Sequence, residues 1–257
     1  MPCNKCIACR IRRTAEWKIR LMHESRCHKD NVFITLTYDE EYRRPDKSIH
    51  KRVLQLFIKR LRKRIEPTKI KYYGVGDYGD DNEREHYHIL VFGWQPELND
   101  LYKGSRKRGK QYYGSRIIKD LWPFGFNTVG TVTPDSCGYV AGYIRRALNG
   151  DEAKRTYGDR IRPFALQSKG LGSTYCWQHA DDIKKRLSVI EGTKDFGLPR
   201  YYSKILAINP QTLKLRRQMK DSNVKSALID LDLDDSQITD YYTALAYQKE
   251  QEAKRFK

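Results

Sequence analysis

The sequence predicts an α+β domain, an antiparallel sheet of about five strands with helices packed over one face. Three observations carry that expectation. Runs of β-branched and aromatic residues at 31–38, 69–78, 85–92 and 126–133 alternate with segments of helical periodicity at 48–65 and 134–148. Only Gly79-Asp80-Asp81-Asn82-Glu83-Arg84, a polar turn, separates the second run from the third, which makes the pair a hairpin. The chain has 257 residues, enough for one substantial domain plus an appendage.

The chain starts with Cys3, Cys6 and Cys9 in a C-x-x-C-x-x-C run. Three thiols at this spacing can hold zinc if a fourth ligand joins them, and Cys27, His23 and His28 are the candidates. The fourth Cys and the Pro of a bacterial ferredoxin motif are missing, so an iron–sulfur cluster is not expected. A structural or incidental role is preferred for these thiols, with zinc as the alternative. Ile11, Ala15, Ile19 and Met22 recur at helical spacing among many Arg and Lys, so 11–28 reads as a helix.

NVFITLTY (31–38) is a strand. Ser48 is the expected N-cap of a helix reaching Ile65, with Val53, Leu54, Phe57, Ile58 and Leu61 as its apolar stripe. Lys59, Arg60, Arg62, Lys63 and Arg64 crowd its C-terminal half, where cations complement the helix dipole. Pro67 ends this helix before the next strand.

Gln95 to Asp120 is polar and rich in Lys, Arg, Gly and Tyr, and reads as a long basic loop or flap. Its Lys103, Arg106, Lys107 and Arg108 are candidate contacts to an anionic partner, as are Arg145 and Arg146 further on. Phe126 to Thr133 is a strand. Thr133-Pro134-Asp135-Ser136 then starts a helix strongly: a capping Thr, Pro at the first helical position and an acid in the first turn. It continues to Leu148, where Asn149-Gly150 ends it. Gly138 and Gly142 oppose helix formation, so they ask for close packing or close approach by a ligand.

Beyond Asp151 the signal weakens. Ser168-Lys169-Gly170-Leu171-Gly172-Ser173 reads as a flexible polar turn and Pro199-Arg200-Tyr201-Tyr202 as a basic aromatic patch. Residues 211–257 read as helical, with the acidic segment 230–235 as a solvated linker. The expected organisation is one domain over 1–208 and a helical tail over 209–257. Within the domain, 1–30 is a basic Cys-rich helix, 31–148 the core and 149–208 an accessory part.

The formal net charge is +18 and the pI about 9.6. So large an excess fits a polyanion partner better than a neutral substrate. Eighteen tyrosines interleaved with Lys and Arg suit single-stranded nucleic acid, where bases stack and phosphates pair. No apolar run is long enough to span a membrane, and the first residues lack an apolar signal-peptide core. A reducing cytoplasm is therefore expected, and the six cysteines are not read as a disulfide framework.

The chemistry concentrates on Glu85-His86-Tyr87-His88-Ile89-Leu90-Val91-Phe92. On a strand, His86 and His88 leave one face and Tyr87 the other. If the hairpin is symmetric about Asp81-Asn82, Asp77 falls opposite His86 and shares its face. Two imidazoles and a carboxylate form a mixed set suited to Mg²⁺ or Mn²⁺ with positions left for a phosphate. Tyr139 and Tyr143, four residues apart, lie on one helical face.

FITLTY (33–38), the GDYG…HYH block (76–88), YVAGY (139–143), SKGLG (168–172) and PRYY (199–202) occur in order after the Cys-rich basic start. Together they resemble the HUH endonuclease family of rolling-circle replication initiators. In particular they are similar to the initiators of microviruses, the gokushovirus-like single-stranded DNA phages. The resemblance covers the chain to about residue 205. It implies the HUH endonuclease fold, with the metal site on the sheet face away from the helices. It implies that His86, His88 and Asp77 hold Mg²⁺ or Mn²⁺, and that Tyr139 or Tyr143 attacks phosphorus to form a 5′-phosphotyrosyl link. The DNA would be the viral origin, religated after each round, with host helicase and polymerase as partners in the cytoplasm of the host bacterium. Two departures stand out. Such blocks more usually carry Glu where this chain has Asp77, and Arg145 and Arg146 replace a lysine often found after the tyrosine pair.

Two other functions compete. A non-catalytic single-strand binding module would need neither the histidines nor the tyrosines. A single-tyrosine relaxase or transposase of the same superfamily would need only one tyrosine.

Overall fold

The computed structural model of the chain describes residues 6–79, 83–107, 109–146, 150–215 and 218. The chain divides into two compact units, Met1–Tyr175 and Cys176–Lys257. In order, its elements are α1 (Ile7–Arg26), β1 (Asn31–Tyr38), α2 (Lys51–Arg64), β2 (Lys71–Tyr78), β3 (Glu85–Phe92), β4 (Leu101–Lys107) and β5 (Lys110–Ser115). They continue with α3 (Arg116–Leu121), β6 (Gly125–Gly130), α4 (Pro134–Arg146), α5 (Gly150–Tyr157), β7 (Phe164–Gln167) and α6 (Ser173–Gln178).

The first unit is an α+β fold around a seven-stranded antiparallel sheet in the order β4-β5-β6-β1-β3-β2-β7. The sheet is wider than the expected five strands because the basic stretch 95–120 is not a loop. It folds into the β4–β5 hairpin and α3, turning at Gly109, whose φ of +77° favours glycine. Asp100 secures the base of the hairpin by accepting from Ser115 Oγ and from the Ile117 amide, and Ser115 Oγ in turn caps α3 at Ile118. At the other edge β7 pairs with β2.

Helices cover both faces of the sheet, which corrects the single helical layer expected. On one face Ile34, Leu36, Tyr87, Ile89 and Val91 pack with Leu54, Phe57 and Leu61 of α2 and with Trp122. On the other, Tyr73, Val75, Leu90 and Phe92 pack with Leu21 of α1 and with Val140, Ala141 and Tyr143 of α4. The reason is visible in β2 and β3, where Tyr73, Val75, Leu90 and Phe92 on one side and Tyr87, Ile89 and Val91 on the other must both leave water. Each fully buried Leu or Phe contributes roughly 1.5–3 kcal/mol by leaving solvent.

Local capping departs from expectation at one helix and follows it at another. α2 starts at Lys51 after His50, which makes no side-chain cap. Ser48 is instead buried, donating to the Asp46 carbonyl (3.2 Å) and accepting from the Ile161 amide (3.3 Å). At α4, Thr133 Oγ1 accepts from the Ser136 amide (3.2 Å) while Ser136 Oγ accepts from the Thr133 amide (2.8 Å), a reciprocal cap.

The turn at 168–173 is pinned rather than flexible. Ser168 Oγ accepts from the Tyr72 amide (3.0 Å). Arg20 of α1 donates to the Leu171 carbonyl (3.1 Å), the Gly172 amide donates to the Glu24 carboxylate (2.6 Å), and the Leu171 side chain is buried. A lone apolar residue among polar ones decides this, since burying Leu171 fixes the turn around it.

α1 runs unbroken from Cys6 at its N-cap to Arg26. Rising 1.5 Å per residue, it sets Cys9 and His23 roughly 21 Å apart. One zinc ion cannot join the N-terminal thiols to His23, Cys27 or His28. Cys27 Sγ donates to the His23 carbonyl, and His28 Nε2 pairs with Glu24. Cys3 lies outside the described residues.

The second unit contains α7 (Ala180–Arg186), the hairpin β8 (Ser188–Glu191) and β9 (Lys194–Gly197), and α8 (Arg200–Ile205). Tyr202 of the basic aromatic patch is fully buried. Most of the expected helical tail, including the acidic segment 230–235, lies outside the described residues. Among the described residues no helix is long and apolar enough to cross a membrane.

Candidate active site

Sheet register assembles the site. Asp77 stands opposite His86, His86 opposite Thr37, and Thr37 opposite Phe126, so one row crosses β2, β3, β1 and β6. The next row is Val75, His88, Thr35 and Thr128. Directly paired residues share a face, and the face in question is the one that α4 approaches. The ring centroids of His86 and His88 are 4.6 Å apart. Tyr87 leaves the other face, where its hydroxyl accepts from the His50 amide (3.0 Å).

Each imidazole is oriented through Nδ1. His86 Nδ1 lies 2.9 Å from the Arg84 carbonyl, which can only accept, so Nδ1 carries the proton and Nε2 the lone pair. His88 Nδ1 is 2.9 Å from Thr35 Oγ1. On its other side Nε2 is hydrogen-bonded to the Tyr139 hydroxyl at 3.3 Å. Asp77 is 3% exposed and His88 7% exposed, so these groups act away from bulk water. Sequence reading missed the two supports, Thr35 and the Arg84 carbonyl. The alternation of FITLTY could have found Thr35, since it sets Phe33, Thr35 and Thr37 on one face.

α4 delivers the tyrosines. Cys137, Val140 and Ala141 bury its inner side, and burial pushes the Cys137 thiol up to about 12, so it packs as a neutral group. Where a Cβ on Gly138 would stand, the nearest atoms are those of the Lys18 side chain from α1 at 3.4 Å, an ordinary contact that does not by itself require glycine. Tyr143 is 4% exposed and stacks on His88 with centroids 5.3 Å apart. Its hydroxyl donates to Tyr139 Oη at 2.5 Å. Tyr139 is 48% exposed, the outward member of the pair. A relay therefore runs from Tyr143 through Tyr139 to His88.

The donors beside the tyrosines fit a divalent ion in kind: two imidazoles, each held through Nδ1, and a buried carboxylate on the same face. Among the described residues, no three His, Cys, Asp or Glu side chains converge on one point. Histidines 86 and 88 are together, and Asp77 is the sheet partner of His86.

Of the expected DNA contacts, Lys103 and Arg106 are exposed on β4. Lys107, Arg145 and Arg146 belong to β4 and α4, with side chains that are not described, and Arg108 lies outside the described residues. Exposed aromatics, of which sequence reading did not single out Phe126, lie near the site face. Phe126, 61% exposed, ends the row of His86, and Tyr112 stands on β5 beyond it.

Residues 31–148 match the family model of replication-associated protein ORF2/G2P. Over 80% of its length the chain is 30% identical to replication-associated protein ORF4 of Chlamydia phage 1, covering 53% of that protein. It is 34% identical to replication-associated protein VP4 of Bdellovibrio phage phiMH2K, over 78% of this chain and 65% of the relative. It is also 34% identical to replication-associated protein ORF2 of Spiroplasma virus 4, over 79% and 67%. The chain thus spans between about half and two thirds of the length of these relatives. No solved structure matches it. The matched segment holds both histidines, Asp77 and both tyrosines, and the chain belongs to the replication-associated protein family of microvirus-type phages.

Proposed function

We propose that this replication initiator nicks and religates single-stranded DNA at the phage origin through a 5′-phosphotyrosine intermediate. One observation carries the proposal: the exposed Tyr139 hydroxyl is hydrogen-bonded to His88, beside His86, with a second tyrosine hydroxyl bonded behind it. Packing alone does not require two phenols and two imidazoles to converge at a surface.

His86, His88 and Asp77 are the residues that would hold Mg²⁺ or Mn²⁺, which supplies a Lewis acid for the scissile phosphate. The protein's own groups do the rest. Tyr139 Oη gives up its proton to water and attacks phosphorus, an O–P bond forms to tyrosine, and the bond from phosphorus to the 3′ oxygen breaks. That oxygen takes up a proton and leaves as the 3′-hydroxyl a host polymerase can extend. Tyr143 donates to Tyr139 Oη and so stabilises negative charge as it develops there. Asp77 and His88 are shielded by α4 and the sheet, which strengthens each polar contact they make. Tyr143 serves in the following round, and reversal of the attack by the freed 3′-hydroxyl closes the circle. Exposed Phe126 and Tyr112 offer rings on which the single strand stacks. Lys103 and Arg106 offer phosphate contacts, and the host cytoplasm supplies helicase and polymerase.

The test is incubation with a single-stranded origin oligonucleotide and Mn²⁺, read as a protein–DNA adduct that survives denaturation. An adduct is expected. Tight binding with no adduct under any divalent ion would instead favour a non-catalytic binding module.

A further inference from the structure

We propose that α2 forms a second DNA-binding surface, on the sheet face opposite the tyrosines, which holds the backbone of a duplex segment. The proposal rests on the DNA-processing function above only for its choice of polyanion.

The sequence of α2, KRVLQLFIKRLRKR, has seven cations and no acid. The helix dipole accounts for Arg62, Lys63 and Arg64 in the last turn, but it disfavours Lys51 and Arg52 in the first. Lys59 and Lys63, one turn apart, repel each other. The buried stripe of Leu54, Phe57, Ile58 and Leu61 explains the apolar positions and none of the charges. Among the described residues, Lys59, Arg62, Lys63 and Arg64 form no ion pair. A helix charged this way on one sign only gains by meeting a polyanion.

Geometry gives the charges a shape. Between α2 and β2 runs an open groove of about 460 Å³ lined by Gln55, Ile58, Lys59, Arg62, Lys63, Glu66 and Tyr72. Its single carboxylate, Glu66, faces three cations. Tyr72 alternates with Tyr73 and Asp77 along β2, so the groove and the histidine pair lie on opposite faces of one sheet. The Arg62 guanidinium covers the Tyr72 ring, 5.6 Å from its centroid. Three cations beside one half-buried ring suit a phosphate backbone, whereas the exposed Phe126 and Tyr139 of the other face suit unstacked bases. Single-stranded and duplex parts of one molecule can therefore be held at once.

The experiment compares the full chain with its Lys59→Gln/Arg62→Gln/Lys63→Gln variant for affinity to a short blunt duplex across a salt series. Each lost phosphate contact should lower the log–log salt slope by about 0.9, so the variant's slope should be shallower by roughly 2–3. Adduct formation on a short single-stranded oligonucleotide should not change. An unaltered slope would overturn the proposal. Lysine acetylation of the wild-type chain decides the matter independently of how the variant folds. Duplex should protect Lys59 and Lys63, and labelling unchanged by duplex, or protection equally strong with a single strand, overturns the proposal. Should the wild type form no adduct, nicking fails while the salt slopes still judge this surface.

Discussion

Asp77 and His86 face each other across β2 and β3, so carboxylate and imidazole leave the same side of the sheet. If that pair serves a divalent ion, charge matters more than shape. Asp77→Asn keeps the volume and removes the charge. It should lower adduct yield by at least about a hundredfold and raise the Mn²⁺ concentration needed. Asp77→Glu, the more usual residue in such blocks, should remain active. His86→Ala and His88→Ala should abolish the adduct while leaving DNA affinity largely intact, because phosphate contacts dominate binding. An Asn variant as active as wild type at limiting Mn²⁺ would remove Asp77 from the site.

Phe126 ends the same row of paired residues with its ring largely in solvent. Phe126→Ala should weaken single-strand binding by about 1–3 kcal/mol, the worth of one stacked base. Duplex affinity should stay the same. Parallel titrations by fluorescence anisotropy separate the two, and equal losses on both ligands would mean that the ring only supports the fold.

Most of the site was legible in the sequence because it depends on short-range rules. Strand alternation fixes the histidines on one face, a polar turn fixes the hairpin register that sets Asp77 opposite His86, and helical periodicity pairs the tyrosines. The sheet was legible in kind and not in extent. Basic residues hid the β4–β5 hairpin, whose strands are largely exposed and lack an apolar face. The packing of α1 and α4 over the second face was not foreseen, although the apolar run Ile89-Leu90-Val91-Phe92 of β3 demands cover on both sides. The roles of Ser48 and Leu171 depend on partners more than a hundred residues away in sequence, which no local pattern reveals.

Glu24 joins three segments that sequence reading left unconnected. It is fully buried and binds Lys71 Nζ (2.9 Å), His28 Nε2 (2.8 Å) and the Gly172 amide (2.6 Å). Burial alone would raise its pKa, but Lys71, the Gly172 amide and His28 overcome this and hold it below the ordinary glutamate value of 4.5. The unfolded chain therefore binds this proton more readily than the folded one. Stability from Glu24 is present in full above pH 4.5 and is lost as pH falls through the lower folded value. Glu24→Gln should cost about 3 kcal/mol at neutral pH, the lower end for a broken buried pair because Lys71 is only half-buried. The difference between variant and wild type should shrink on acidification. Denaturant melts at pH 7 and pH 3.5 measure it, and a gap independent of pH would show that the carboxylate's charge contributes nothing.

The two tyrosines are unequal in a way that orders their chemistry. Tyr139 is exposed and bonded to His88, whereas Tyr143 is buried and donates to Tyr139. Tyr139 should therefore make the first cut. A phenol with a reference pKa of about 10 needs its developing charge stabilised, and the Tyr143 hydroxyl is placed to do that. Tyr139→Phe should abolish the initial adduct on a linear oligonucleotide. Tyr143→Phe should slow it by about tenfold, the effect of losing one hydrogen bond to a developing charge of about 1.5 kcal/mol. In a full replication assay Tyr143→Phe should also block release of closed circles, since the second attack lacks its nucleophile. Removing a hydroxyl leaves each ring to pack, so both variants should keep the wild-type circular dichroism spectrum. The double variant should form no adduct. Were it still to attach covalently to DNA, mass spectrometry of the linked peptide would locate the nucleophile elsewhere, with the exposed Tyr112 and Tyr113 the first to inspect. Were Tyr143→Phe to lose the first adduct while Tyr139→Phe kept it, the order of attack inferred from exposure and hydrogen bonding would be reversed.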